Sequence, residues 1–361
     1  MAAGGTAGHL VPALAVADAL RDRGAEVSFI GAGRDLEKEL VPARGYALDN
    51  ADLRGLQRSL SLRTFLFVWS MFKGTAQCLE VMRRRRPDAV MGGGGYVSWA
   101  PVVAARLTRR PALIMELDSH MGLANRALVP LASRVALCFD IPGRSGGKYF
   151  RTGRPLGSKL LEATPESGRR HFGLAPGKPL VLVYGGSLGA RSINDACAGA
   201  FGSGALDFQV LHVSGRRDHE LVAARLKEQG ADLANYHLLD YTDDLPLALA
   251  AADLVVARSG ASVQEIAALG KPALLVPYPY ATAQHQLRNA EWMAGAGAAA
   301  IIPDEELDAE RLKEEVAALL ADPERLAAMS RASASLGERG GADRVARELL
   351  ELARRHKSRR R

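Results

Sequence analysis

Pro179-Leu-Val-Leu-Val-Tyr184-Gly185-Gly186-Ser187-Leu188-Gly189-Ala190 is a short apolar, β-branched run that breaks into a glycine-rich turn. With no polar face, the run reads as a strand of a parallel sheet, buried on both sides. The turn feeds a helix-like stretch, so backbone N–H groups at the helix start can be aimed at a phosphate. A similar turn, Gly4-Gly5-Thr6-Ala7-Gly8-His9, stands near the start of the chain. Two such turns imply two phosphate-bearing ligands. The first has little lead-in: Met1-Ala2-Ala3 leaves no room for a full strand before Gly4, so either a truncated first strand or a different start is expected. Neither turn spells G-x-G-x-x-G, and G-x-x-x-x-G-K-[ST] is absent, which argues against a dinucleotide-binding dehydrogenase and a P-loop NTPase.

Outward from these turns, strand-like runs recur at residues 25–30, 89–91, 112–115, 134–139, 208–213, 254–257 and 273–276. They alternate with helical patterns, which predicts doubly wound α/β domains with parallel sheets. A length of 361 residues suits two domains at roughly 150 residues each. The stretch 153–179 carries little strand signal and one short helical piece at 166–172, and reads as the hinge. We expect an N-terminal domain over 1–156 and a C-terminal domain over 157–340. A closing helix and basic tail over 341–361 is expected to pack back toward the N-terminal domain. Ligands of open parallel sheets bind at the carboxyl ends of the strands, so two such domains face to face would hold a ligand in a cleft between them.

Apolar residues make up 48% of the chain and charged residues 24%, the balance of an ordinary globular protein. No apolar run reaches the ~18 residues needed to cross a bilayer, and no signal peptide is visible. Cys78, Cys138 and Cys197 are odd in number and widely spaced; they suit buried thiols in a reducing compartment. The net charge of +7 is concentrated in Arg83-Arg84-Arg85-Arg86 and in the tail from Lys357 to Arg361. Such runs can meet nucleic acid or an anionic membrane, or be a solvated helix end and a loose tail. No nucleic-acid reading motif accompanies them.

His9 ends the first glycine turn, where an imidazole of ordinary pKa near ~6.5 can remove a hydroxyl proton; it can also merely cap the helix, and the glycine context favours the former. In Arg258-Ser259-Gly260-Ala261-Ser262-Val263-Gln264-Glu265, Ser259 or Ser262 can cap a helix. Glu265 can accept two ribose hydroxyls, or equally complement the helix dipole. His285 and Gln286, on the polar segment after Pro277-Tyr-Pro-Tyr280, can read sugar hydroxyls or simply start a helix. The run from Arg63 to Lys73 is apolar nearly all round, as an interfacial helix or a core helix would be. No Asp-x-Asp, His-x-x-x-His or Cys-x-x-Cys spacing suggests a metal-held diphosphate.

Six motifs occur in order: Gly4-Gly-Thr-Ala-Gly-His9 with Pro12-Ala-Leu-Ala15, Gly92-Gly-Gly-Gly-Tyr96-Val-Ser98, Glu116 with Gly122-Leu-Ala-Asn125-Arg126, the second glycine turn with Asn194, Arg258-Ser-Gly-Ala with Glu265, and His285-Gln286 with Asn289-Ala290. Together they resemble the MurG family of peptidoglycan glycosyltransferases over nearly the whole chain. Each alone is weak; the ordered set is specific.

The resemblance implies an α/β GT-B fold, two Rossmann-like domains with parallel sheets facing across a deep cleft. It implies transfer of N-acetylglucosamine from UDP-N-acetylglucosamine to undecaprenyl-diphosphate-linked N-acetylmuramoyl-pentapeptide. By the same likeness, Gly186 and Ser187 would face the donor diphosphate, Glu265 the ribose, Tyr241 and Thr242 the uracil, and His285 with Gln286 the sugar, with Ser259 also in the donor site. Gly5, Thr6, Gly8, Gly94, Tyr96, Glu116, Asp118 and Asn125 would line the acceptor site. His9 would be the base of an inverting, single-displacement attack. Phe65, Leu66, Trp69 and Phe72 would touch the membrane. The resemblance further implies no cofactor, no metal and no nucleic-acid partner. It points to an anionic membrane surface and other cell-wall synthesis proteins as candidate partners, and to a peripheral place on the cytoplasmic face of the bacterial plasma membrane.

Two segments depart from the family pattern. Its His-Glu-Gln-Asn reads Met115-Glu116-Leu117-Asp118, exchanging polar groups for an apolar pair and a carboxylate. Its Gly-x-Pro-x-Arg hinge reads Gly153-Arg154-Pro155-Leu156-Gly157, which leaves Arg154 to supply a guanidinium from three residues earlier. A related transferase with another acceptor, or a silent nucleotide-sugar-binding protein, are the alternatives these departures keep open.

Overall fold

The computed structural model describes residues 1–53, 62–186, 189–281 and 284–358, with side chains left out over 62–69. The chain divides into two compact units, Met1–Gly157 with Arg339–Arg361, and Ser158–Glu338.

The first unit carries strands β1 (Ser28–Gly31), β2 (Ala47–Asn50), β3 (Val90–Gly92), β4 (Ala112–Glu116), β5 (Arg134–Leu137) and β6 (Tyr149–Arg151). β1 pairs with β2, and β3 to β6 pair in sequence order, all in parallel. Ala2 joins the two sets, bridging in parallel to both Ile30 and Gly92. Its N–H donates to Met91 O and its carbonyl accepts from Gly93 N–H, each at 2.7 Å. The short lead-in before the first glycine turn therefore occupies the middle of the sheet with a single residue. The chain runs outward from Ala2 to β1 and β2, then returns to β3 on the other side of Ala2. The order of the strands thus reverses between Ala2 and β3, which is where ligands of open α/β sheets bind.

Apolar residues of the strands, such as Val90, Ile114, Val135 and Leu137, pack with Cys78, Met82, Val102 and Leu128 from the covering helices into one core. Each such buried aliphatic side chain contributes about 1.5–3 kcal/mol over its exposed state. The helix Gly341–Ser358 belongs to this unit: Arg344 Nε donates to Thr152 O at 3.0 Å, and Arg134 pairs with Glu348 at 2.7 Å. Helix Leu62–Arg85 ends in the basic run, where Arg85 Nε bonds Asp49 at 3.0 Å and Arg84 also pairs with Asp49. Part of that positive charge is therefore neutralised locally.

The second unit holds β7 (Leu180–Tyr184), β8 (Gln209–Val213), β9 (Tyr236–Leu239), β10 (Leu254–Ala257), β11 (Ala273–Leu275) and β12 (Ala299–Ile301). They form one parallel sheet in the order β12-β11-β10-β7-β8-β9. All five residues of β7 are buried, as its unbroken apolar run requires. Val181, Val183, Val210, Val256 and Leu274 pack with Ile193, Leu312, Val316 and Leu319 of the helices. Helices Ala309–Leu320 and Pro323–Leu336 are started by Asp308 and Asp322, whose carboxylates accept N–H groups of Arg311 and Arg325 at 2.8 and 2.9 Å. In this sheet the strand order reverses between β7 and β10, so the second glycine turn and the Arg258 segment leave it side by side.

Candidate active site

In the first unit the turn from Gly4 to His9 and the glycine run from Gly92 to Gly95 both leave the sheet where its strand order reverses. His9 lies in the first turn of helix Ala7–Arg21 and is half-buried. Its Nδ1 is 2.9 Å from Thr6 Oγ1, and the rest of the ring lies along Gly94 and Gly95. A Cβ on Gly94 would stand 2.7 Å from His9 Cδ2, and φ at Gly94 is +99°, so both contact and backbone require glycine there. Burial lowers the His9 pKa below 6.5; the Arg154 guanidinium pushes the same way and the Asp118 carboxylate opposes it. The imidazole is therefore neutral at neutral pH, the form that accepts a proton.

Two amides of these turns bond within the protein. Gly5 N–H donates to the fully buried Glu37 at 3.0 Å, and Gly94 N–H donates to Ser98 Oγ at 3.0 Å. These two bonds fix the shape of both turns at Gly5 and Gly94. Glu37 went unnoticed in the sequence. It also accepts the Arg34 N–H at 3.3 Å, and a glutamate reaching back three residues at a helix start was the available signal.

Glu116 is buried and accepts from Asp118 N–H (3.2 Å), Gly122 N–H (2.9 Å) and Asn125 Nδ2 (2.9 Å). Burial pushes its carboxyl above the usual range, while those bonds pull it back. Asn125 Nδ2 also donates to Met115 O at 3.0 Å. Both side chains brace the loop after β4. Asp118 is half-buried. Arg154, buried, donates to Gly8 O at 3.0 Å and so ties the hinge segment to the first helix turn. The Tyr96 ring lies against Gly5, and its buried hydroxyl has no hydrogen-bond partner among the described residues.

In the second glycine turn Gly189 N–H donates to Gly186 O at 2.9 Å, with φ of +76° and +92° at Gly189 and Gly186. It delivers the chain into helix Arg191–Phe201. Ser187 lies outside the described residues. On the β10 side, Arg258 donates to Val276 O (3.2 Å), Ser192 Oγ (2.8 Å) and Asp304 (2.6 Å), tying together the end of β11, the start of helix Arg191–Phe201 and the turn at Asp304. Ser259 caps no helix; its buried hydroxyl donates to Gln286 O at 2.7 Å, and Asn289 Nδ2 donates back to Ser259 O at 3.1 Å. Ser262 takes the cap position of helix Val263–Ala268 without a side-chain cap bond. Glu265 is half-buried one turn along, and its charge helps burial raise the pKa of the adjacent Tyr184 phenol.

His285 begins helix His285–Gly295, and Gln286 Oε1 accepts Tyr278 N–H at 3.0 Å. After β9, Tyr241 is exposed beneath the Arg216 guanidinium, 4.5 Å from its ring centre, while Thr242 Oγ1 accepts Asp244 N–H at 2.9 Å. Phe72 is 70% exposed. The side chains of Phe65, Leu66 and Trp69 lie outside the described residues. Burial pushes all three cysteine thiols up to about 12, which makes them unreactive.

The N-terminal domain of glycosyltransferase family 28 matches residues 1–137, and the C-terminal domain of the same family matches residues 180–345. Two bacterial proteins named UDP-N-acetylglucosamine–N-acetylmuramyl-(pentapeptide) pyrophosphoryl-undecaprenol N-acetylglucosamine transferase are similar over almost their full length. The one from Halothermothrix orenii is 38% identical, covering 93% of this chain and 93% of its own. The one from Moorella thermoacetica is 40% identical, covering 96% and 97%. The crystal structure of Acinetobacter baumannii MurG superposes with a TM-score of 0.76 at 27% identity, covering 97% of each chain.

Proposed function

We propose a mechanism for this chain from the premise that it belongs to glycosyltransferase family 28, among its MurG-type members with the GT-B fold. It is a UDP-N-acetylglucosamine-dependent glycosyltransferase that carries lipid I to lipid II in peptidoglycan synthesis. The half-buried His9 carries the mechanistic reading, because it stands beside the strand-order reversal with its pKa held below the usual value.

In the proposed step, His9 Nδ1–H is donated to Thr6 Oγ1, which leaves Nε2 as the base. Nε2 takes the proton of the acceptor hydroxyl as that oxygen bonds to the anomeric carbon of N-acetylglucosamine. The bond from that carbon to the donor phosphate breaks, UDP leaves with the electron pair, and the configuration inverts. The acceptor diphosphate is held near Thr6, Gly8 and Arg154. On the other unit, the glycine turn and the N-terminus of helix Arg191–Phe201 offset charge on the departing UDP without a metal. Glu265 holds the ribose, Tyr241 the uracil, and His285 with Gln286 the sugar. Phe72 and its helix meet an anionic membrane on the cytoplasmic face, alongside other cell-wall synthesis proteins. No helix of the described residues is long and apolar enough to cross a membrane, and a peripheral attachment fits that observation.

The test separates the two ligands. His9→Ala is expected to lower kcat by about 10²–10⁴, the usual span for a general base, with UDP affinity unchanged. Glu265→Ala is expected to weaken UDP binding first. Equal losses of kcat and UDP affinity in His9→Ala would remove His9 as the base.

A further inference from the structure

Beneath the second glycine turn runs a line of buried polar groups that the mechanism above does not use. Gly189 sits directly on the carbonyl of Ser214: a Cβ there would fall 2.3 Å from that oxygen. The same oxygen accepts from Asn194 Nδ2 at 2.8 Å. Since Asn194 Nδ2 donates there and to Asp218 (3.2 Å), its Oδ1 is the acceptor for His212 Nε2–H at 3.0 Å. His212 Nδ1, left without a proton, accepts from the Tyr236 hydroxyl at 2.7 Å. Tyr236 in turn takes the Cys197 S–H at 3.2 Å.

Asn194, His212, Ser214 and Cys197 are fully buried and Tyr236 is 2% exposed. Each bond in this line therefore has one direction, and the tautomer of His212 is fixed by its two neighbours. Asp218 extends the line outward to Arg217 at 3.0 Å and toward Arg191, the first residue of the helix that leaves the turn, at 3.6 Å. An apolar residue at position 212 would fill the space between β8 and its neighbours equally well. What it would not do is orient the Asn194 amide toward the carbonyl that supports Gly189.

We propose that Asn194, His212 and Tyr236 form a buried positioning relay that fixes Gly189 and the start of helix Arg191–Phe201, at the exit of the second glycine turn, and through them the affinity for the nucleoside-diphosphate portion of the donor. The proposal rests on the reading that this turn holds the donor. None of the three residues touches the ligand; each acts through the backbone of Ser214 and Gly189. The relay stays in one protonation state across the working range, because burial and the charge of nearby His219 lower the His212 pKa to about 3.

The experiment is calorimetric titration of UDP into the full-length wild type, His212→Leu, His212→Gln and Tyr236→Phe, at a temperature where each is folded, with donor KM and kcat measured in parallel. His212→Leu is expected to weaken UDP binding about tenfold, as loss of one buried hydrogen bond does, and to raise donor KM with kcat nearly kept. A glutamine amide both donates to Asn194 Oδ1 and accepts from Tyr236, so His212→Gln is expected to recover most of the affinity. Unchanged UDP affinity in folded His212→Leu overturns the relay, whatever happens to its melting temperature. Should that variant not fold, Tyr236→Phe decides: loss of one hydroxyl with weaker UDP binding supports the relay, and unchanged binding overturns it. A wild type that binds no UDP overturns the donor reading itself, and the relay with it.

Discussion

The imidazole of His9 lies so close to Gly94 that even a methyl group there would stand 2.7 Å from Cδ2. Ser98 holds Gly94 from the other side, accepting its N–H at 3.0 Å and donating to its carbonyl at 2.9 Å. Gly94→Ala is therefore expected to push the ring aside and to strain a backbone at φ +99°. A misplacement of about 1 Å in a reacting group costs on the order of 100-fold in rate. The measurement is kcat for Gly94→Ala beside UDP affinity, which should be unchanged; wild-type turnover would show that the base lies elsewhere.

The pH profile carries a sign. Neutral His9 is the active form, so kcat/KM falls as pH drops through its free-enzyme pKa, which lies below 6.5. Asp118→Asn removes the charge that raises this pKa and is expected to move the acid limb to lower pH. Arg154→Gln removes a charge that lowers it and is expected to move the limb the other way. Shifts in the same direction for both variants would contradict the assignment of the limb to His9.

Glu37 supports the first glycine turn from inside. Truncation in Glu37→Ala leaves the Gly5 and Arg34 N–H groups without their acceptor and opens a cavity, an expected loss of about 1–3 kcal/mol for the orphaned donors. Chemical denaturation measures it. Stability equal to wild type would show that the turn holds its shape without the carboxylate.

Phe72 is an exposed aromatic on the expected membrane-facing helix. Burying a phenylalanine in a bilayer interface is worth about 1.5–3 kcal/mol, so Phe72→Ser is expected to weaken sedimentation with phosphatidylglycerol vesicles by about tenfold or more. Undiminished vesicle binding would move the contact surface off this helix.

The sequence displayed the central strands and hid the outer ones, for a physical reason. β1, β3, β4, β5, β7, β8, β10 and β11 are buried in the middle of their sheets and show apolar runs. The four strands not singled out from the sequence, β2, β6, β9 and β12, are all sheet edges, although β12 lies in a short apolar run at 298–302. An edge strand is half exposed, so Asp49 in β2 and Arg151 in β6 are tolerated and no continuous signal appears. At the site, the position of His9 and of both glycine turns was legible because glycine spacing is local. The bonding of Glu37 to Gly5, of Ser259 to Gln286 and of His212 to Asn194 and Tyr236 was not, because those partners are 18 to 32 residues away and only folding brings them together. A carboxylate or hydroxyl in a motif looks the same whether it faces a ligand or holds the loop that does.

The most direct test of the account is UDP release from UDP-N-acetylglucosamine by the full chain in detergent micelles, with and without undecaprenyl-diphosphate-linked N-acetylmuramoyl-pentapeptide. The account predicts release that depends on the acceptor and persists without added metal, with Met115 and Leu117 in place of the family's polar pair. UDP binding without acceptor-dependent release would contradict it, and would assign the chain to a different acceptor or to a donor-binding protein without transferase activity.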